Sequence, residues 1–393
     1  MARVQILDRS ADIDGMPVFP RTPQPARLSL IRPCGPPSPA CGRREIYAVL
    51  LVGLLAATVC RADFGDGVEA YKRGDFTTAL AQFLALAKQG EAHAQFALGV
   101  LYDKGEGVGQ NDAEAVRWYQ AAAEQGYAKA QFNLALMYQT GRGVAADKEM
   151  ATALLLRSAQ GGNLNAVTRV RQLAEEGNVT LQSALGTMYL LGRGVPRDAL
   201  QAKTWYERAA SAKDGPAMFS LGVMYEQGSG IARDPGEAVR WYERAAQAGD
   251  LQARFNVARL LLLGGDVKRN ASAARDHLQA AADGGLAQAQ FMLAMLMESG
   301  ERWTADAEAA RKWYEKAAHG GLADAQINLA YMYAEGQGGP RDQVAAYAWY
   351  KVAAERGVRL AAQNLQAMKT TLSAQEIVSA ERLAEQLREG MQS

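Results

Sequence analysis

The stretch Ala94-Gln95-Phe96-Ala97-Leu98-Gly99-Val100-Leu101-Tyr102 is the first of seven similar segments in a chain of 393 residues. Positions 94, 98, 101 and 102 follow the i, i+3/i+4 spacing of one helix face. We call this segment helix A and its last residue the Tyr position. The Tyr position recurs at Tyr102, Tyr138, Tyr189, Tyr225, Leu261, Met297 and Tyr333.

A second helical segment, helix B, follows each helix A in the same register. Its reference residue, the Trp position, recurs at Trp118, Leu154, Trp205, Trp241, His277, Trp313 and Trp349. Ala lies three residues before each Trp position, and Asn or Asp lies seven before it. Both series advance by 36 residues, except for one shared step of 51. A period in this range predicts a solenoid of stacked supersecondary units.

Turn and capping residues mark the ends of both helices. A Gly-x-Gly turn begins at Gly105, Gly141, Gly192, Gly228 and Gly336. Glycine permits positive φ and ends helix A. The Asn or Asp that precedes helix B predicts an N-cap, because its side-chain oxygen can accept from a free backbone N–H. The Ala-rich face of helix B allows close approach, and we expect the Trp-Tyr pair to fill the space between helices.

These residues resemble the Sel-1-like repeat, a relative of the tetratricopeptide repeat. The shared pattern is Ala-x-Ala-Gln-x-x-Leu-Gly-x-x-Tyr, Gly-x-Gly-Val, Asp, Ala-x-x-Trp-Tyr, Ala-Ala and Gly, over roughly residues 64–389. The resemblance implies an all-α fold, a right-handed α/α superhelical solenoid of stacked helix pairs. Leu154-Leu155 and His277-Leu278 replace Trp-Tyr, and the turns at Gly264-Gly265 and Gly300–Thr304 lack Gly-x-Gly. We expect looser packing at those places.

The repeat register predicts six segments. They are a disordered or mis-assigned start (1–42), a signal peptide (43–62), a first arm with a tetratricopeptide-like unit and two Sel-1-like repeats (63–162), an extra helix at a seam (163–178), a second arm with five repeats (179–359) and C-terminal capping helices (360–393). We expect a bend at the seam. In the last segment, Ser373 with Glu376 predicts a capping box.

The N-terminal region carries export signals. Arg43-Arg44 precede the apolar run Ile46–Cys60, and Ala62 follows shortly after it. Fifteen residues are short for a membrane span, which needs about 20. The pattern predicts a signal peptide cleaved near Ala62 and a periplasmic or secreted mature protein. The alternative is a membrane anchor formed by residues 46–60.

The mature chain predicted in this way has no cysteine, because Cys34, Cys41 and Cys60 all precede the cleavage site. An oxidising compartment therefore offers it no disulfide, and repeat packing must hold it together. The whole chain has a formal net charge of +1. We expect no nucleic-acid partner and no membrane span in the mature chain.

Catalytic signatures are missing from the sequence. There is no His-Glu-x-x-His, Cys-x-x-Cys, Gly-x-Ser-x-Gly or Ser-x-x-Lys motif. We interpret His93, His277 and His319 as structural, and we expect no enzyme activity, no cofactor and no metal. An alternative is β-lactam binding or hydrolysis, which is associated with cysteine-rich members of the family. Those members carry a cysteine pair in each unit.

The favoured function is an exported scaffold that binds an unknown protein or peptide partner through the concave face of the solenoid. Five residues before the Tyr position lie Asn133, Asn256 and Asn328. In tetratricopeptide proteins an Asn near this position can hydrogen-bond a bound peptide, so these residues, with Arg259 as an anion contact, are the predicted site. The alternative is that the asparagines only bridge helices. The predicted structural anchors are Trp118, Trp205, Trp241, Trp313 and Trp349. A role as an envelope regulator of polysaccharide or stress signalling would be a biological setting for this scaffold.

Overall fold

The structure, a computed structural model, describes residues 63–392. Within that range the chain forms nineteen helices and no strand, which confirms the all-α solenoid class. The predicted start, signal peptide, alternative anchor and cysteines, all within residues 1–62, lie outside the described residues. None of the described helices has an apolar stretch that would reach across a bilayer.

The described chain falls into two compact bodies, residues 63–197 and residues 198–392. The N-terminal body contains α1 (Phe64–Lys72), α2 (Phe76–Ala87), α3 (Ala92–Lys104), α4 (Asp112–Glu124), α5 (Ala128–Thr140), α6 (Lys148–Gln160), α7 (Leu164–Glu175) and α8 (Val179–Leu191). Successive helices in this body pack on one another, as in a solenoid. The inserted residues form α7, between α6 and α8. The seam and its bend stay predictions.

The C-terminal body contains the remaining eleven helices of the described chain. These are α9 (Ala199–Ser211), α10 (Gly215–Gln227), α11 (Pro235–Gln247), α12 (Leu251–Leu263), α13 (Ala271–Asp283), α14 (Ala287–Ser299), α15 (Ala307–His319), α16 (Ala323–Glu335), α17 (Gln343–Glu355), α18 (Arg359–Met368) and α19 (Ala374–Gln392). Successive helices pack on one another up to α18, while α19 returns to pack on α17.

The predicted capping residues begin and end the helices as expected. All seven Asn or Asp N-caps of helix B accept a hydrogen bond from a backbone N–H two or three residues later, for example Asp234 from Glu237 at 3.0 Å. The first glycine of each Gly-x-Gly turn is left-handed, as at Gly105 with φ 74°. Ser373 and Glu376 form the predicted capping box, because each side chain accepts from the other residue's backbone N–H.

The core between paired helices is built from tyrosine rings against small residues. Tyr119 and Tyr242 are completely buried. A Cβ added at Gly222 would lie 2.6 Å from the Tyr242 ring, and Gly99 meets the Tyr119 ring in the same way. The small Gly or Ala three residues before the Tyr position therefore leaves space for the tyrosine ring of the Trp-Tyr pair.

A glutamine side chain links five helices to the helix that follows them, across a spacing of eight residues. The buried Gln131 side chain donates to the Ala123 carbonyl at 3.2 Å, near the C-terminus of the preceding helix. Four further glutamines make the same bond, from Gln95, Gln182, Gln290 and Gln326. Since the last four carbonyls of a helix have no partner within it, the Gln of the Ala-x-Ala-Gln segment satisfies one of them.

Lys213 is the only residue other than glycine with positive φ among residues 63–392, at 64°. It ends α9 where six other copies of helix B place a glycine. A residue with a side chain pays about 1–2 kcal/mol to adopt the left-handed conformation. Glycine avoids that strain but loses about 0.5–1 kcal/mol more in conformational entropy on folding. We expect Lys213→Gly to raise the free energy of unfolding by about 0.5–1 kcal/mol in chemical denaturation. Lys213→Ala, which keeps the Cβ, should give no such gain.

Candidate functional site

The asparagines predicted to bind a partner lie at the junctions between repeats. The Asn328 side-chain amide, on α16, donates to the Tyr314 hydroxyl of α15 at 3.2 Å. Asn133 lies beside the Tyr119 hydroxyl and lowers its pKa. Asn256 lies beside the Tyr242 hydroxyl, but among residues 63–392 neither its amide nitrogen nor its amide oxygen has a hydrogen-bond partner. Each Asn lies 14 residues after its tyrosine. Asn328 therefore bridges one repeat to the next, while the predicted contact of the three asparagines with a partner stays a prediction.

A carboxylate completes each of these junctions. The hydroxyls of Tyr119, Tyr242 and Tyr314 donate to Asp103 (3.2 Å), Glu226 (2.8 Å) and Glu298 (2.9 Å), which each lie 16 residues earlier. We call each set of carboxylate, tyrosine and asparagine a junction triad. In the triad of Glu298, Tyr314 and Asn328, hydrogen bonds join helix A and helix B of one repeat to helix A of the next.

Two of the triad tyrosines, Tyr242 and Tyr119, have raised pKa values. Burial raises the pKa of Tyr242 far above its ordinary value, and the Glu226 carboxylate raises it further. Burial also raises the pKa of Tyr119, against the opposing effect of the Asn133 amide. Both hydroxyls therefore remain hydrogen-bond donors to their carboxylates throughout the physiological pH range.

The triad of Glu226, Tyr242 and Asn256 holds a buried ion pair. The guanidinium of Arg259, on α12, contacts the Glu226 carboxylate, and the two residues are 5% and 8% exposed. Asn256 is also buried. The predicted anion contact, Arg259, thus has an internal carboxylate partner. At the junction that contains Asp103 and Tyr119, the Arg142 guanidinium lies 2.7 Å from Asp103 and 2.6 Å from Asp112, but the Arg142 side chain is exposed.

The predicted tryptophan anchors occupy two kinds of environment. Trp118, Trp205 and Trp349 are buried, whereas Trp241 and Trp313 are half-buried. The Arg244 guanidinium lies 4.3 Å from the Trp241 ring centroid, and the Lys316 ammonium lies 3.9 Å from that of Trp313. The tyrosine that follows each of these five tryptophans is the more deeply buried ring of the pair. The sequence periodicity had predicted the tryptophan as the buried anchor.

The three histidines make local contacts. The His93 ring lies 2.9 Å from a Glu91 oxygen, and the His319 ring lies 2.8 Å from the Glu315 carbonyl. His277 is half-buried at a Trp position, and its Nδ1 has no partner among the described residues. Residues 63–392 contain no group of three acidic, histidine or cysteine side chains that could hold a metal ion.

His277 predicts a pH dependence of stability. Burial lowers its pKa below about 6.5, reinforced by Arg254 and opposed by Glu243 and Asp276. The unfolded chain therefore binds the proton first, so stability is full above about pH 6.5 and falls as the pH drops through the folded pKa. His277→Leu, which places the residue found at Leu154, should reduce the loss of thermal stability between pH 7.5 and pH 5. An equal loss in both proteins would refute this assignment.

The junction carboxylates, tyrosines and glutamines were not predicted as a connected set. The signal that could have found them is a constant separation. Acid and tyrosine are always 16 residues apart, and tyrosine and asparagine 14. The acids are not periodic, since Gln139, Leu190, Leu262 and Ala334 occupy their position in other copies.

Comparison with known proteins gives a consistent result. One protein-family model, described as Sel1 repeat, matches residues 92–127, 128–163, 181–214, 215–250, 251–286, 287–322 and 323–358. These are the seven predicted copies. No curated protein is similar enough to count as a match.

Solved structures with similar sequences come from several bacteria. A Sel1 repeat protein from Oxalobacter formigenes is 31% identical, with 79% of this chain and 88% of that chain covered and a TM-score of 0.48. The protective antigen c5321 of uropathogenic Escherichia coli, described as displaying an SLR fold, is 27% identical, with 84% of each chain covered and a TM-score of 0.38. A putative sel1 repeat protein from Klebsiella pneumoniae is 22% identical, with 51% and 98% covered and a TM-score of 0.32.

Proposed function

Because the chain belongs to the Sel1 repeat family, we propose that it is an exported scaffold that binds a protein or peptide partner. Proteins with this repeat scaffold generally mediate protein–protein interaction and are typically not enzymes. The seven repeats carry the proposal. Each repeat adds a further copy of the same exposed positions, and such arrays provide extended binding surfaces.

We propose that the partner binds across helix A. In the superhelix that the family implies, helix A lines the concave surface. Two residues before the Tyr position the chain places Val100, Leu136, Thr187, Val223, Arg259, Met295 and Tyr331. All except Arg259 are partly or largely exposed. This position varies where the buried positions do not, so it can supply specificity without disturbing the packing.

The asparagines divide between two proposed roles. Asn133 and Asn328 are half-buried and keep part of their surface open beside the helix A face. We assign them a direct contact with the partner in addition to their tyrosine bond. Asn256 and Arg259 are buried, and we assign them to the repeat junction.

Export rests on the N-terminal sequence. A basic pair, an apolar run of fifteen residues and a small residue at the proposed cleavage site support a signal peptide. N-terminal sequencing of the protein isolated from the envelope fraction tests this directly. A mature N-terminus just after Ala62 is expected, and a chain that still begins at Met1 would overturn export.

The binding surface is tested with a partner captured from the envelope fraction. We expect Leu136→Glu and Met295→Glu each to weaken the partner's Kd about tenfold or more, which corresponds to about 1.4 kcal/mol at an interface. Arg240→Glu, on the exposed side of α11, is the control and should leave the Kd unchanged. Equal affinities for all four proteins would rule out the helix A face.

A further inference from the structure

One repeat of the C-terminal body departs from the others between Met297 and Asp306. Met297 stands at the Tyr position, Arg302 replaces the second glycine of the turn, and Trp303 replaces the valine or isoleucine that follows that glycine in four other copies. At the corresponding Gly338, a Cβ would overlap the Ala307 carbonyl. The turn that carries Arg302 therefore cannot approach the preceding helix B as closely.

The departure leaves a cleft of about 490 Å³. Its lining includes Arg275 of α13, Met297 of α14, and Trp303, Thr304 and Asp306 from the turn that leads into α15. The expected looser packing at Gly300–Thr304 is thus present as a defined space with an indole wall and a cation.

The next repeat shows how such a cation is normally used. Arg311 occupies the position of Arg275 one period later, and its guanidinium lies 3.8 Å from the Tyr333 ring centroid. Arg311 also donates to the Pro340 carbonyl at 3.1 Å. Its aromatic partner and its acceptor both come from the following repeat.

Arg275 lacks the equivalent acceptor. Its guanidinium lies 5.4 Å from the Trp303 ring centroid, and among residues 63–392 it forms neither an ion pair nor a hydrogen bond. The one carboxylate in the lining, Asp306, is the N-cap of α15, where one of its oxygens accepts from the Ala309 N–H at 2.9 Å. The cleft therefore offers, beside the Trp303 ring, guanidinium donors that have no protein acceptor within the described residues.

We propose that this cleft binds an acidic side chain of a partner protein together with a neighbouring apolar side chain of the same partner. A planar guanidinium binds a carboxylate with two parallel hydrogen bonds. The Trp303 ring and the Met297 thioether give the apolar side chain a polarizable surface. The proposal deepens the proposed scaffold function and rests on it.

Peptide selection on the full-length protein tests the chemistry. A random displayed peptide library is selected against the protein, and enriched peptides are synthesised for fluorescence anisotropy. We expect a class in which Asp or Glu lies next to Leu, Met or an aromatic residue. We expect each of Arg275→Gln and Trp303→Val to weaken the Kd of that class at least tenfold. Trp303→Val introduces the residue that other copies carry, so it should preserve the fold.

Two controls sharpen the result. Arg311→Gln, the equivalent change one repeat later, should leave the Kd unchanged. Met297→Tyr combined with Trp303→Val restores the pattern of the neighbouring repeats and should abolish the binding by filling the cleft. Thermal melts of the variants separate a loss of binding from a loss of folding. Because Arg275 is exposed, we expect Arg275→Gln to melt like the wild type.

The outcomes distinguish this proposal from the scaffold function. Peptides that bind more weakly to Leu136→Glu or Met295→Glu but not to Arg275→Gln would refute binding in the cleft. They would still support partner binding across helix A. Enriched peptides without an acidic residue would also overturn the cleft. If no peptide is enriched at all, both the cleft and peptide binding by the scaffold fail.

Discussion

Arg259→Met is expected to lower the free energy of unfolding by about 3–5 kcal/mol, because it leaves the Glu226 carboxylate buried without its cation. The cost does not come from shape. Methionine occupies the same position in a later repeat, at Met295. It comes from desolvation, since Glu226 is 8% exposed and its remaining partner, Tyr242, is a neutral hydroxyl. Chemical denaturation and hydrogen exchange of the α10–α12 amides measure the loss.

Two matched variants decide whether charge burial is the cause. Glu226→Leu combined with Arg259→Met installs the residues found at Leu262 and Met295. The double variant should be more stable than the single one by at least about 2 kcal/mol, since an apolar pair often replaces a buried ion pair without loss. Arg142→Met removes a largely exposed arginine and should cost less than about 1 kcal/mol. A single variant as mild as Arg142→Met would contradict the argument.

The repeat period and the helix ends could be predicted because they recur. A cap, a turn glycine or a buried alanine has the same physical task in every copy, so comparison of the seven copies identifies it. The choice between Trp241 and Tyr242 as the core ring could not be made in this way. Adjacent residues on a helix point about 100° apart, and both recur with the same period. Only the packing against Gly222 distinguishes them.

The polar junctions were missed for the opposite reason. Asp103, Glu226 and Glu298 occupy a position that is apolar or neutral in the other copies, so comparison of copies hides them. Their partners lie on different helices, and the sequence does not show which helix A a tyrosine hydroxyl will face. The same applies to Arg259, which was predicted as an anion contact for a partner and instead pairs with the internal Glu226. The cleft at Trp303 was predicted only as loose packing, because its cation comes from α13.

The C-terminal helix α19 carries the second large effect. Ala348 and Val352 of α17 are buried in a cluster with Ala384, and Leu383, Leu387 and Met391 pack against it. The equivalent residues of α15 are Lys312 and Lys316, both exposed. The sequence of α17 is therefore apolar where its predecessor is charged, and α19 covers that face. Ion pairs from Lys351 to Glu381 (3.3 Å) and from Arg388 to Glu355 (3.1 Å) flank the contact.

Truncation before Ser373 is expected to lower the free energy of unfolding by on the order of 5 kcal/mol, at about 1.5–3 kcal/mol for each large apolar side chain returned to water. The exposed face should also make the truncated protein self-associate, which size-exclusion chromatography with light scattering would detect. Ala348→Lys combined with Val352→Lys in the truncated chain recreates the surface of α15 and should restore a monomer. A truncated chain that melts like the full-length protein would show that α19 does not stabilise the array. Because a solenoid needs a polar outer face on its terminal repeat, the two lysines substitute for α19 only if covering that face is its role.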